Sequence, residues 1–425
     1  MSRQYSNYGA VALLALCVPA GTASAAVASM VATGMSSGPA PASTIAAEPT
    51  AWTQQAKFSA SDGTPSSYFG FSVALSGGTA LIGATGAFDI EPGAVYSFVG
   101  AGASWEQQSK IQPVESADGD GFGTSLAFDA DTLIVGAVAS NQLGRAFVFV
   151  RSGDTWTEQA ELVSTDGPGI FYGASVALDG DTAVVGGLGQ NAAYVFQRGG
   201  GAWSQQQKLQ ADDMDGVSYF GRVALDGDRV LVGAPDSNEY KGLAFVFDRV
   251  GTTWTQSARF TPDEEGVNDL FGESVALQGD TAFVASYGFD NYRGEVYVYT
   301  RVQGAWTFQT RLRAEDGVQL DGFGVPVAVV GDTVAIGAGY AAADFLYQGA
   351  VYVYRGSGDA WDSVAKLTAD DGAREDLFGF GSVAMDGDNV LVGAIGVDVG
   401  TNTDQGAAYF FAPDRSDVIF GSGFD

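Results

Sequence analysis

The sequence predicts an all-β fold, a seven-bladed β-propeller of four-stranded antiparallel blades closed by the N-terminal strand. Three observations predict it. The seven tryptophans of the 425-residue chain, at 52, 105, 156, 203, 254, 306 and 361, recur at intervals of 47–55 residues, a period that marks propeller blades when its contents are short strands. An aromatic-glycine pair and a Gly-Ala pair recur in step with them. The composition, with 60 Gly, 27 Phe and 17 Tyr but only 12 Pro, is that of many short strands joined by tight turns.

The elements follow in chain order. Residues 1–25 carry Arg3, an apolar run from Gly9 to Ala20, and Ala23-Ser24-Ala25, the order of a secretory signal peptide. The run is too short to span a bilayer comfortably, so no membrane span is expected after cleavage. Residues 26–50, rich in Ala, Ser, Gly, Thr and Pro, read as a linker. Residues 51–412 hold the seven units, and 413–425 form a tail ending in DVIFGSGFD.

The unit at 254–300 shows the four strands. In WTQSARF, Trp254, Gln256, Ala258 and Phe260 alternate with Thr255, Ser257 and Arg259, so this strand has one wet side and belongs at the outer edge. FGESVAL is apolar or small on both faces, as suits an inner strand where seven copies converge. A two-residue turn follows it, seen as Asp179-Gly180, Asp226-Gly227 and Asp386-Gly387, and Asp-Gly between apolar strands predicts a type I′ hairpin. TAFVAS and EVYVYT complete the unit. Because the chain opens with an outer-type strand at Trp52 and its last unit ends in GAAYFF, Trp52 to Phe58 is expected to complete the seventh blade, leaving no open edge.

The paired signature resembles the FG-GAP repeats of integrin α-chain heads and of many bacterial secreted proteins. Its first half stands as Phe69-Gly70, Phe122-Gly123, Tyr172-Gly173, Phe220-Gly221, Phe271-Gly272, Phe323-Gly324 and Phe378-Gly379. Its second stands as Gly83-Ala84, Gly136-Ala137, Gly186-Gly187, Gly233-Ala234-Pro235, Ala285-Ser286, Gly337-Ala338 and Gly393-Ala394. The resemblance spans 52–411 and implies a binding, adhesion or scaffolding module. In integrin-like units the hairpin after the FG strand can hold calcium; here it has shrunk to turns such as Asp179-Gly180-Asp181, short of the 6–8 oxygens that ion takes. These aspartates therefore read as turn formers, no metal site is assigned, and no cofactor is expected.

Charge and residue usage exclude much else. A formal net charge of −30 repels nucleic acid and anionic membranes. There is no histidine, and the single cysteine, Cys17, lies in the signal segment, so a His-based triad, a His or Cys zinc site and a thiol nucleophile are ruled out of the mature chain. Three breaks in the repeat, Arg222 beside a one-residue deletion, Ser286-Tyr287 and Pro326, read as drift. No pair of carboxylates stands out, so an enzyme is not expected.

The turns that lead from each outer strand to the next inner strand are acidic in every unit and should share one face of the disc with the loops between the second and third strands. The doubled and tripled acids Asp212, Asp213, Asp215, Asp263, Glu264, Glu265, Asp370 and Asp371 exceed what turn formation needs and are the candidate ligand-binding residues. They would attract a basic surface, or hold a divalent ion such as calcium weakly as a bridge. The expected protein is a secreted monomer, in the medium, at the cell surface or in the periplasm, that binds an extracellular protein or glycan. A carboxylate-dependent hydrolase or lyase and a purely structural envelope component are the alternatives.

Overall fold

The computed structural model describes residues 51–86, 91–138, 143–167, 169–212, 218–262 and 268–414. The segments expected to be a signal peptide and a linker, and nearly all of the tail, lie outside these residues. No helix among the described residues is long and apolar enough to cross a membrane.

Seven four-stranded antiparallel sheets form the ring. In each, the FG strand lies at one edge and the Trp strand at the other, as the alternation in the sequence requires. The first blade runs from Phe69–Ser76 through Thr79–Ala84 and Ala94–Ala101 to Ser104–Ile111. The seven FG strands pack side by side around the axis, the last against the first. The ring closes as expected: Trp52–Phe58 pairs antiparallel with Ala407–Pro413 as the outer strand of the seventh blade. Trp52 Nε1 donates to Asp388 O at 2.7 Å, and Lys57 pairs with Asp371 at 2.6 Å.

The signature residues explain themselves at the seams between blades. Every FG aromatic is buried; Phe69 packs on Tyr96 and Phe98, and Phe122 on Phe147 and Phe149, with ring centroids 5.5–6.2 Å apart. The glycine after it has positive φ, and at Gly70 a Cβ would lie 2.3 Å from Ala407 O of the preceding blade. A side chain there would hold the blades apart. Tryptophan works the outer end of the same seam: Trp105 packs on Phe58 and Phe410 of the seventh blade.

Two details differ from expectation. The central residues of the inner hairpin are Gly180 and Asp181, with Asp179 still paired to Thr182 and positive φ at Gly180 but not at Asp181. That is the pattern of a type II′ turn, so the type I′ assignment is corrected: Asp179 ends the strand, and the glycine alone takes the left-handed position. Second, every outer strand carries a register shift against its neighbour, as between Ser97 and Phe98 or Val246 and Phe247. Such bulges twist an edge strand and make it a poor template for further pairing.

Candidate functional site: the loop face

On one face of the disc the turns that enter each inner strand lie against the loops between second and third strands. Backbone hydrogen bonds join them: Ser66 N to Thr403 O at 2.8 Å, Leu270 N to Tyr240 O at 3.0 Å, and Glu375 N to Leu346 O at 3.1 Å. The residue just before each FG pair is left-handed in all seven blades: Tyr68, Gly121, Phe171, Tyr219, Leu270, Gly322 and Leu377. For bulky residues that conformation is uncommon. Tyr68, Phe171 and Tyr219 thereby meet Tyr340, Tyr347 and the buried Phe71 and Phe380 in one cluster at the axis.

Some of the acidic turns hold the blades together. In four blades one aspartate clamps the blade that follows it. Asp62 accepts from Tyr96 and Lys110, both at 2.7 Å. Asp166 holds Tyr194 and Lys208, Asp316 holds Tyr352 and Lys366, and Asp371 holds Tyr409 and Lys57, at 2.6–2.9 Å. Burial alone would raise the carboxyls of Asp62 and Asp371, but the lysine and tyrosine beside each outweigh it and hold both below the ordinary range. The lysine is the main cause of the same downward shift at Asp166 and Asp316. The four tyrosines are pushed up by burial and by their aspartate.

Of the eight candidate residues, then, Asp371 has a structural partner on each oxygen. Asp370 beside it is exposed, with its backbone N–H bonded to Gln54 Oε1 at 3.0 Å, and Asp212 is exposed. Asp213, Asp215, Asp263, Glu264 and Glu265 lie outside the described residues. The structure brings Asp370 next to Asp371 and shows no contact between that pair and Asp212. The clamp had a signal in the sequence: lysine stands on the outer strand in the same four blades that have this tyrosine and aspartate, whereas the second blade has Phe147 opposite Glu161 and the fourth Phe245 opposite Arg259.

The loop face also exposes apolar side chains that the acidic pattern did not suggest. Leu143, Tyr240, Tyr292, Phe345 and Leu346 project from loops, and Val114, Val163, Ile170, Val318 and Leu320 from turns. They run from the second to the sixth blade. In the seventh blade the described residues of the same face expose no large apolar side chain, and in the turn that leaves the first blade only Val114 stands out.

On the opposite face the hairpin carboxylates are engaged. Asp179 accepts from Gly227 N of the next blade at 2.6 Å, as Asp129 does from Gly180 N and Asp386 from Gly77 N at 2.8 Å. Asp181, Asp228 and Asp131 receive Arg198, Arg249 and Arg151 at 2.6–3.0 Å. The first acid of such a turn thus bonds to the next blade, while the second holds an arginine of its own blade whose Nη1 reaches a threonine of the preceding one, Thr132, Thr182 or Thr79.

One repeat break has a structural consequence near the axis. In six blades the inner strand shifts register after its FG pair; the fourth has no shift, and Arg222 pairs opposite Gly233 at the position where five blades have serine and the sixth has Pro326. Arg222 reaches Glu273 of the fifth blade, Nε to Oε1 at 3.0 Å, with both side chains buried. Burial pushes the Glu273 carboxyl up to about 7, against the pull of Arg222 and with the help of Asp236. At the second break, burial raises the Tyr287 hydroxyl, with smaller contributions from Tyr340 and Glu273. Arg222 is therefore more than drift: it is paired with a buried glutamate across one seam. Pro326 lies in the sixth blade, after Val325 in a cis peptide.

Comparison with known proteins agrees with this geometry. No curated protein matches the chain. Among solved structures, Sqt1 of Saccharomyces cerevisiae is 12% identical over 84% of this chain and 98% of its own, with a TM-score of 0.49. A Bacteroides fragilis protein titled as a candidate 6-phosphogluconolactonase is 10% identical over 76% and 86%, with a TM-score of 0.50. At such identity the second likeness speaks for the fold alone. The model described as FG-GAP repeat matches seven times, at 52–98, 105–149, 156–196, 203–247, 254–299, 306–354 and 361–411, one match for each tryptophan-led unit, and this chain belongs to the FG-GAP repeat family.

Proposed function

We propose that this protein is a secreted or surface-exposed binding module that holds an extracellular protein or glycan on its loop face without turning it over. The observation that carries this reading is the distribution of exposed apolar side chains. Tyr240, Tyr292, Leu320, Phe345 and Leu346 stand in solvent on short connections of a rigid ring, where recognition is usually placed. Exposed acids such as Asp212 and Asp370 on the same face would steer a basic partner toward it. The signal-like pattern of residues 1–25 supports export.

The test is to display the full chain, with and without calcium, against arrays of glycans and matrix proteins, and then to titrate any partner against two variants. Phe345→Ser with Leu346→Ser should weaken binding at least tenfold. Asp212→Asn with Asp370→Asn should weaken it less and flatten its dependence on salt. A partner whose affinity ignores both variants would remove the loop face as the binding surface.

A further inference from the structure

Three loops on this face place a tyrosine at one and the same backbone position. Tyr240, Tyr292 and Tyr347 lie between the second and third strands of the fourth, fifth and sixth blades, each two residues before a glycine. All three are left-handed, with φ of 66, 63 and 57°. Their carbonyls accept from Leu270 N, Gly322 N and Leu377 N of the next blade at 2.8–3.1 Å, and the residue after each accepts from the N–H of the following FG aromatic at 2.8–3.1 Å. The three positions are thus related by the rotation of the ring.

The fold asks for this conformation but not for the aromatic side chain. In the seventh blade Asp404 stands there, also left-handed, and the same two bonds form through its carbonyl and that of Gln405. A bulky residue is uncommon in that region, where glycine or asparagine sits more easily. Packing accounts for part of the choice, since Tyr292 and Tyr347 meet Tyr287 and Tyr340 edge to face, with centroids 5.3 and 5.7 Å apart. Yet Tyr292 is still 38% exposed and Tyr240 53%. Strain spent to hold an aromatic ring in solvent points to a ligand.

The surroundings select its chemistry. Asn238, Asn291 and Gln319 present exposed amides, and Glu239 and Asp290 exposed carboxylates, around the first two tyrosines. Such groups beside an aromatic face match the hydroxyls and C–H faces of a sugar ring. Residues 287–294, 313–322, 339–349 and 368–377 carry nine acids and three bases, an excess that Lys57 and Lys366 do not cancel, so an anionic polymer is repelled. A surface that repeats from blade to blade is met alike three times only by a ligand that repeats, as a linear polysaccharide does and a folded protein does not.

We propose that Tyr240, Tyr292 and Tyr347 form the seat of a neutral linear polysaccharide, pyranose units of one strand lying on successive blades. It rests on the reading of the loop face as the binding surface and chooses the glycan over the protein. Full-length protein would be titrated calorimetrically with di- to hexasaccharides of glucose, mannose, galactose and N-acetylglucosamine, with hexagalacturonate, and with an arginine hexapeptide. At least one neutral series should gain tenfold or more in affinity from disaccharide to hexasaccharide, as one strand reaches a second and third tyrosine. Hexagalacturonate should bind at least tenfold more weakly. Tyr240→Asn with Tyr292→Asn suits the left-handed backbone and should remove the gain with length, a ratio that partial unfolding does not move; Tyr240→Phe with Tyr292→Phe should keep it. No gain with length in any neutral series, an equal response to hexagalacturonate, or indifference to the asparagine variant would overturn the proposal. An arginine hexapeptide that binds where every sugar is silent would give the tyrosines to a basic protein and overturn it as well. If Phe345→Ser with Leu346→Ser still releases a partner in that case, the loop face stands as a binding surface and only the polysaccharide falls.

Discussion

Five seams between inner strands are joined by a neutral serine, and one by buried charge. Ser72 and Ser125 donate to Gly123 O and Gly173 O of the next blade at 2.6 and 2.7 Å, and Ser382 to Gly70 O at 3.1 Å. Ser175 and Ser274 accept from Val223 N and Val327 N. At the fourth seam the serine position is Arg222 and the fastener is Glu273. A one-residue deletion is thus bridged by the longest side chain available. The two fasteners span the same gap, but only the charged one leaves an expensive orphan when a partner is lost.

The widest break in this comparison is closure itself, where the seam depends on a strand from the far end of the sequence. A chain starting at Ser59 lacks Trp52, Phe58 and the whole outer strand of blade seven, and it exposes Ala407–Pro413 as a free edge. It should aggregate or melt far below the intact chain in calorimetry; equal melting temperatures would mean that the ring does not rely on that strand.

Next in size is the charged seam. Glu273→Ala should cost roughly 3–5 kcal/mol, the usual effect of stranding a buried charge. Replacing both partners, Arg222→Met with Glu273→Leu, should restore most of that loss in urea denaturation. A double variant no better than the single would show that the charges themselves, and not their pairing, are required.

A serine seam should respond more gently. Ser125→Ala removes one buried hydrogen bond and should cost about 1–2 kcal/mol in the same assay. If it matches Glu273→Ala, the two kinds of seam are energetically alike and the distinction is lost.

The smallest effects are in pH, and they run in opposite directions. Glu273 has its carboxyl raised in the fold to about 7 from an ordinary 4.5 by burial. The folded state therefore takes up a proton first, and this group's contribution is full below 4.5 and lost as pH rises through 7. The clamp aspartates are lowered, so theirs is present above 3.8 and lost as pH falls below it. Melting temperatures at several pH values between 5 and 8 should fall slightly toward pH 8 in the native chain, and Glu273→Gln should flatten that slope. An unchanged slope would assign it to another group.

Blade count, strand order and closure were legible because each rests on a pattern repeated seven times. The tryptophan period, the FG and Gly-Ala pairs and the alternation in WTQSARF all act through burial, which composition reports directly. The seam chemistry was not, because Ser72 and Arg222 read as a small residue and a deletion until register places both opposite the glycine of the second strand. The clamp hid for a related reason: Asp62, Tyr96 and Lys110 are up to 48 residues apart, and Asp62 alone looks like a turn former. Five of the eight proposed binding acids lie outside the described residues, and Asp371 shows why acid-rich turns mislead: one carboxylate of a pair can belong to the fold while its neighbour faces solvent.

The strand that closes the ring also decides how the molecule would bear tension. Ala51 and Asp414 lie side by side, joined by Asp414 N to Ala51 O at 2.8 Å, where the two chain segments enter and leave the disc. Between antiparallel strands the hydrogen bonds run across the pull, so a force drawing residues 51 and 414 apart would load them one after another, like a zipper. Trp52 would yield early, and the Lys57–Asp371 pair near the far end of the strand would be reached among the last. A pull through one of these points alone would leave the zipper unloaded. Held by one end the ring keeps its clasp out of the load path, and held by both it would open there.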